Sequence, residues 1–170
     1  MRQKHRSRFL GFCLLLSALL SCSYQLQPPL KINGAAQPIY IEGDRAFAIS
    51  LKRKLEQHGI ALSHSRENAG SVIRINNIHH DTRDYALSAD SRLAEQRHHL
   101  QAHLSWHYRN SKNESGDSIL LDRNFSSERI QLLQPEHLSA QQRETTQLIE
   151  ILRDQISNRM LDAMRHLNTQ

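Results

Sequence analysis

The stretch Leu100-Gln101-Ala102-His103-Leu104-Ser105-Trp106-His107-Tyr108 decides the fold. Apolar or aromatic side chains occupy its even positions, whereas its odd positions carry histidine, glutamine or serine. An alternation with a period of two is typical of a β-strand that buries one face and exposes the other. The stretch therefore predicts a sheet that is covered on one side only.

A partner strand is predicted after residues 109–117, a loop that is rich in turn-forming residues. The apolar residues of this second strand fall on odd positions. One antiparallel register aligns them with the first strand and keeps the sum of paired residue numbers at 225: Trp106 with Ile119, Leu104 with Leu121, and Leu100 with Phe125. The two strands are thus expected to form a hairpin.

A strand and a helix are predicted before this hairpin. Pro38-Ile39-Tyr40-Ile41-Glu42 is typical of a short strand, and Asp44 is a suitable N-cap for a helix that ends at Gly59. The apolar positions of that helix recur every three to four residues: Phe47, Leu51, Leu55 and His58. A further strand is expected over 71–88, with a β-bulge at Asn76-Asn77 where the alternation changes phase.

A second helix is predicted at the C-terminus. Ser139 and Gln142 resemble a capping box, and the chain from Ala140 to about Leu167 contains no glycine or proline. Its apolar stripe comprises Thr145, Ile149, Leu152, Ile156, Met160, Ala163 and Leu167. The predicted order is therefore β-α-β-β-β-α. We expect an α+β fold, a two-layer sandwich with a mixed sheet of about four strands and two helices on one face.

The N-terminal segment has the layout of a secretory signal. Four basic residues precede an apolar run that is too short to span a bilayer. The run ends in Leu19-Leu20-Ser21-Cys22, which resembles the bacterial lipoprotein box, in which the signal is cut before a cysteine that then carries lipid. We therefore predict a signal peptide over 1–21, a lipidated tether over 22–37 that begins at Cys22, and one domain over 38–170.

The charge of the predicted mature chain argues against a nucleic-acid partner. Of the 22 Lys and Arg residues, four precede Cys22, which leaves 18 basic against 17 acidic residues and a formal charge of +1. The basic character of the whole chain therefore belongs largely to the leader. Because Cys13 leaves with the leader and Cys22 is lipidated, no thiol remains for a disulfide.

The histidines do not form a recognisable metal motif. His99, His103 and His107 share one strand face, but residues four apart on a strand lie roughly 13 Å from each other, too far to bind one ion. A cross-strand metal site, for instance between His80 and His98, stays open. No catalytic motif or phosphate-binding glycine loop occurs in the sequence, so we predict no enzyme activity, metal or cofactor.

Four arginines are candidates for binding an anionic ligand: Arg92, Arg97, Arg123 and Arg129. Guanidinium groups suit phosphate oxygens, so a cluster of them could hold an acidic lipid headgroup. Arg123 occupies a position where the alternation predicts an apolar side chain; either the strand bulges there or the guanidinium lies along the sheet and past Ala102. The alternative for Arg97 and Arg129 is simple ion pairing with Glu128 and Glu95.

Over essentially its full length the chain resembles the family of the lipopolysaccharide-assembly lipoprotein LptE of Gram-negative bacteria. The resemblance rests on the order and spacing of five features: the cysteine box at Cys22, the Ile39-Tyr40-Ile41 strand before a helix that ends at Gly59, the Arg92-Leu93-Ala94-Glu95 entry to a long strand, the strand with Arg123 and Phe125, and the C-terminal helix.

The resemblance implies a non-enzymatic lipoprotein anchored in the inner leaflet of the outer membrane. Members of the family plug the lumen of the LptD β-barrel, help to assemble it, and contact lipopolysaccharide through basic residues of the sheet. Arg123 and Arg92 fall at or near the positions that this resemblance nominates. Ser23, after the cysteine, is not the aspartate associated with inner-membrane retention in enteric bacteria.

Two other functions stay open at this point. The chain could be an accessory lipoprotein of another envelope transport system, with the same anchor and type of fold but an inner-membrane partner. It could also be a metal-binding or hydrolytic lipoprotein that uses its histidines.

Overall fold

In a computed structural model of the chain, residues 30–87, 93–109, 118–133 and 138–167 are described. Their secondary structure follows the predicted order. The elements are a 3-10 turn (Gly34–Ala36), β1 (Ile39–Gly43), α1 (Arg45–Gln57), β2 (Ser71–Leu87), β3 (Leu93–Tyr108), β4 (Ser118–Leu132) and α2 (Leu138–Leu167). None of the helices in this part of the chain is both long enough and apolar enough to cross a bilayer.

The four strands form one mixed sheet in the order β1-β2-β3-β4. β1 runs parallel to β2, and the other neighbours are antiparallel. Both helices cover the face that carries Ile73, Leu104 and Trp106, all of them buried. The opposite face, called the open face below, has no helix from the described residues over it. The predicted two-layer sandwich is thereby confirmed.

The core extends further towards the N-terminus than the sequence predicts. Leu30, Ile32 and Ala36 are buried and belong to the main apolar cluster. The hydroxyl of Ser71 donates a 2.6 Å hydrogen bond to the carbonyl of Ala36, and the indole N–H of Trp106 donates to the same hydroxyl at 2.9 Å. Residues 30–37, predicted as part of the tether, are therefore packed as part of the domain, because their few apolar side chains cover the end of the sheet.

The ends of α1 follow the sequence prediction. Oδ1 of Asp44 accepts hydrogen bonds of 3.0 Å from the backbone N–H groups of Ala46 and Phe47. Gly59 has φ +72°, as expected of a left-handed helix terminator. His58 is exposed and does not join the buried stripe of Phe47, Leu51 and Leu55 because the helix ends at Gln57.

The predicted bulge in β2 is confirmed, but the register of the hairpin differs from the prediction. Asn77 has φ +50°, and the pairing of β2 with β3 shifts between Asn76 and His79. Between β3 and β4 the paired positions are Trp106 with Leu121, Leu104 with Arg123, and Ala102 with Phe125. Their sum is 227 rather than 225. For these three pairs the shift of two residues keeps each side chain on its predicted face, which is why alternation alone could not detect it. The pairing shifts again between Trp106 and His107, so Ile119 lies opposite His107 on the open face, is 62% exposed, and does not join the buried face as predicted.

The stripe of α2 is predicted correctly at its centre and not at its ends. Leu152, Ile156 and Met160 are fully buried. Leu148 and Met164 complete the buried face; Ile149 is only half-buried and Leu167 is 39% exposed. The helix begins at Leu138, so Ser139 lies in its first turn and not at its N-cap.

Candidate functional site

The three predicted arginines that the structure describes, Arg97, Arg123 and Arg129, do not converge on one site. Arg97 lies on the open face, opposite Arg83 of β2 and Ile130 of β4. Arg129 lies opposite His98, on the helix-covered side of the edge strand β4. Arg92 and Cys22 lie outside the described residues.

Arg123 is held apart from Arg129 by the strand that carries both. They are six positions apart, which corresponds to roughly 20 Å along an extended strand. The pairing around Arg123 is regular, so the strand does not bulge there. Its guanidinium carbon lies 5.8 Å from the ring centroid of Phe125. The second predicted alternative is therefore observed, although Arg123 faces Leu104 across the strands and not Ala102.

Arg97 and Arg129 meet in a cavity of about 410 Å³ near the end of the sheet where β2 is followed by β3. Tyr85, Glu128 and Ile130 line the same cavity. The guanidinium carbon of Arg97 lies 4.9 Å from the ring centroid of Tyr85, a cation–π arrangement. We call this place the tip cavity.

Large exposed apolar side chains lie at the same end of the sheet as the tip cavity. Tyr85, Leu87, Ile130 and Leu132 are between 48% and 66% exposed. Tyr85 and Ile130 line the cavity together with the two guanidinium groups, and Leu87 and Leu132 lie two residues further along the same two strands. This combination suits a ligand that has both anionic groups and hydrocarbon.

The predicted ion pairing holds for one of the two arginines. Nη1 of Arg97 lies 3.7 Å from Oε2 of Glu128. Both side chains are well exposed, so the pair contributes less than about 1 kcal/mol and does not prevent Arg97 from binding a ligand. Among the described residues Arg129 forms no ion pair, with Glu95 or any other carboxylate.

A buried polar network lies beneath the tip cavity, on the helix-covered face. His98 is 2% exposed, and its Nε2 is 3.0 Å from Oε1 of Gln131, which is an acceptor only. His98 therefore carries its proton on Nε2. Its Nδ1 then accepts a hydrogen bond from Nε2 of His80, at 3.2 Å. Burial lowers the pKa of His98 below its ordinary value; the hydrogen bond to Gln131 opposes this shift and the nearby His80 adds to it.

The geometry of the two imidazoles favours a shared proton over a shared metal ion. Their centroids are 5.4 Å apart and their planes differ by 11°, so the two nitrogens face each other almost in line. Ligands of one tetrahedral ion would instead point at a common centre at an angle. Among the described residues no three His, Cys, Asp or Glu side chains are grouped to hold a metal.

The other predicted histidines lie on the open face. His103 contacts the carboxylate of Asp122 at 2.5 Å through Nε2 and Asn76 at 3.0 Å through Nδ1. Arg74 and Glu42 form another pair there, at 2.7 Å. These four polar side chains of the open face are therefore paired with one another.

Sequence reasoning missed Tyr85, Gln131 and Arg159 as neighbours of the predicted arginines. Tyr85 and Gln131 reach their positions because the strands pair in one register. Arg159, on α2, donates a hydrogen bond to the carbonyl of Ser126 on β4. No pattern in the sequence marks these three residues, since each depends on a long-range contact.

No protein-family model matches the chain, and comparison with curated proteins gives no sequence match. Solved structures share its fold. Rare lipoprotein B from Shewanella oneidensis has a TM-score of 0.63 at 14% identity, over 77% of this chain and 96% of that one. A minor lipoprotein from Acinetobacter baumannii has a TM-score of 0.58 at 15% identity, over 75% and 90%. Lipoprotein B from Nitrosomonas europaea, described as uncharacterized, has a TM-score of 0.58 at 17% identity, over 77% of this chain and 86% of that one. At these identities the likeness establishes the fold alone.

Proposed function

We propose that this protein is a non-enzymatic lipoprotein of the outer membrane, anchored through Cys22 in the inner leaflet. In this proposal it plugs and helps to assemble an LptD-type β-barrel, and it binds lipopolysaccharide during delivery to the cell surface. The observation that carries the proposal is the combination of a lipoprotein-type leader with a domain that has the fold of three bacterial lipoproteins.

The chemistry of the tip cavity supports lipopolysaccharide as the ligand. Lipopolysaccharide presents phosphates next to acyl chains. Arg97 and Arg129 offer guanidinium forks for phosphate oxygens, and the exposed Ile130 and Leu132 offer apolar contacts beside them. Arg92 and Arg123 remain candidate ligands from the sequence.

The character of the open face supports a barrel lumen as the place of binding. The side chains that face the lumen of an outer-membrane barrel are largely polar. The pairs of Arg74 with Glu42 and His103 with Asp122 on this face can meet such a wall without the desolvation of unpaired charges.

Affinity purification of the tagged, lipidated protein from detergent-solubilised outer membrane tests the proposal. We expect one large β-barrel to be recovered with it at one to one, as identified by mass spectrometry. If the protein is recovered with an inner-membrane transporter, the accessory-lipoprotein function replaces the proposal. If it is recovered without any partner, the proposed role as a barrel plug is overturned. Metal analysis of the same sample tests the histidine-based alternative, which stoichiometric zinc would favour.

A further inference from the structure

A groove runs along the seam between the edge strand β4 and helix α2. It consists of two cavities, of about 550 Å³ and 380 Å³, that share Ser126 and Arg159 in their walls. Arg129 lines the first cavity and Arg123 the second. We call it the seam groove.

Three guanidinium groups follow one another along the seam groove. Arg159 of α2 donates through Nη1 to the carbonyl of Ser126, which lies midway along β4 between Arg123 and Arg129. Three residues of an extended strand correspond to roughly 10 Å. The groove therefore presents cationic groups at roughly regular intervals, two from the strand and one from the helix.

The carboxylates near the groove are paired with other cations. Asp162 contacts Arg165 at 2.6 Å, Asp154 contacts Lys54 at 2.6 Å, and Glu128 contacts Arg97 at 3.7 Å. None of the three groove arginines forms an ion pair with a carboxylate in the described part of the chain. Glu128 and Asp162 also line the two cavities, but among the described residues their ion pairs are with Arg97 and Arg165 and not with the groove arginines.

The remaining walls indicate what kind of anion fits. Ser127, Gln155 and Asn158 line the first cavity; the Ser127 hydroxyl donates to Oε1 of Gln155 at 2.7 Å, and Nδ2 of Asn158 donates to Asp154 at 3.3 Å. The amide nitrogen of Gln155 and the amide oxygen of Asn158 are groups that hydrogen-bond well to sugar hydroxyls. Phe125 is the one phenyl or indole ring among the residues that line the two cavities, and Arg123 lies over it. Such walls suit neither an acyl chain nor stacked bases.

We propose that the seam groove binds an extended saccharide that carries phosphate groups, with Arg159 as a binding residue alongside Arg123 and Arg129. This inference rests on the proposed function, because the saccharide would be the phosphorylated sugar portion of the lipopolysaccharide whose hydrocarbon the tip contacts. It adds a second contact surface, on the helix side, and a ligand residue on α2.

Calorimetric titration of the full chain in detergent with completely deacylated lipopolysaccharide, a phosphorylated oligosaccharide, tests the inference. We expect Arg159→Gln and Arg123→Gln each to weaken binding at least fivefold. Arg53→Gln, at an exposed position of α1, is the matched control and should bind like the wild type. Removal of the phosphates from the oligosaccharide should weaken its binding to the wild type to the same extent or more.

Unchanged binding by Arg123→Gln, or equal binding of the dephosphorylated oligosaccharide, would overturn the inference. Arg159 also contacts the backbone of β4, so Arg159→Gln is compared at matched thermal stability with Arg159→Lys, which keeps the charge and should retain more affinity. If intact lipopolysaccharide binds and the deacylated oligosaccharide does not, the seam groove is not a saccharide site. The proposed function would still stand. The reverse result would overturn the tip cavity as the lipopolysaccharide site and leave the groove.

Discussion

His98 and Gln131 form a hydrogen bond of 3.0 Å between adjacent strands, buried beneath the start of α2. The hydroxyl of Thr145 lies 3.0 Å from the same Gln131 oxygen, and the Gln131 amide donates to the carbonyl of Gln141 at 3.3 Å. The pair therefore links β3 and β4 to the helix that covers them. Because Arg129 lies opposite His98, the link also supports one wall of the tip cavity.

The buried position of His98 predicts that stability falls in acid. Its folded-state pKa lies below the ordinary value of 6.5, so the unfolded chain takes up a proton that the folded chain resists. The contribution of neutral His98 to the free energy of unfolding is fully present above pH 6.5. It is lost as the pH falls towards the folded-state pKa, with a slope of up to about 1.4 kcal/mol per pH unit. The imidazole of His80 faces His98 and adds to the lowering of its pKa.

Urea unfolding between pH 8 and pH 5 measures this effect. The wild type should lose stability over this range, and His98→Gln should lose distinctly less. His107→Gln on the open face is the control and should behave like the wild type. An identical pH dependence in His98→Gln and the wild type would show that another group is responsible.

Removal of the Gln131 amide should destabilise the domain. Gln131→Leu leaves the Nε2–H of His98 without its acceptor in a buried place, at a cost of about 1–3 kcal/mol. Gln101→Leu, at a half-buried position of the open face of β3, provides the comparison and should change stability little. Equal unfolding midpoints for the two variants would contradict a structural role for the network.

Gly43 should not tolerate alanine. A Cβ at this position would lie 1.9 Å from the carbonyl oxygen of Ile75, and its φ of +113° is unfavourable for other residues. We expect Gly43→Ala to destabilise the fold by well over about 1 kcal/mol. Gly34→Ala has no atom within 4 Å of the added carbon and should be close to neutral in the same thermal unfolding experiment.

Reversal of charge at the tip cavity should weaken lipopolysaccharide binding. Each charge-assisted hydrogen bond to a phosphate contributes about 1.5–3 kcal/mol, so Arg97→Glu with Arg129→Glu should lower affinity at least tenfold. Both side chains lie at the surface or edge of the sheet, and the fold should persist. Arg45→Glu with Arg53→Glu, at two exposed positions of α1, is the control with the same change in net charge. An unchanged affinity in a folded double variant would remove these two arginines from the site.

The sequence by itself determined which elements form and which face of each strand is buried. Alternation in β3, the Asp44 cap and the glycine after α1 are local signals, and each was sufficient because it depends on neighbours only a few residues away. The leader that ends before Cys22 was likewise predicted from one contiguous stretch of sequence. Arg123 could be nominated because it interrupts an apolar pattern, and Arg97 and Arg129 because they are basic residues on the two strands of the predicted hairpin.

Only the tertiary structure decided which of these side chains meet. A period of two fixes the face of a strand but not its register, and a slip of two residues placed Leu104, and not Ala102, opposite Arg123. The strand's own length separates Arg123 from Arg129, whereas pairing brings Arg97 and Arg129 into one cavity. Arg159 and the segment from Leu30 to Ala36 join the sheet through long-range packing, and no local pattern records such contacts.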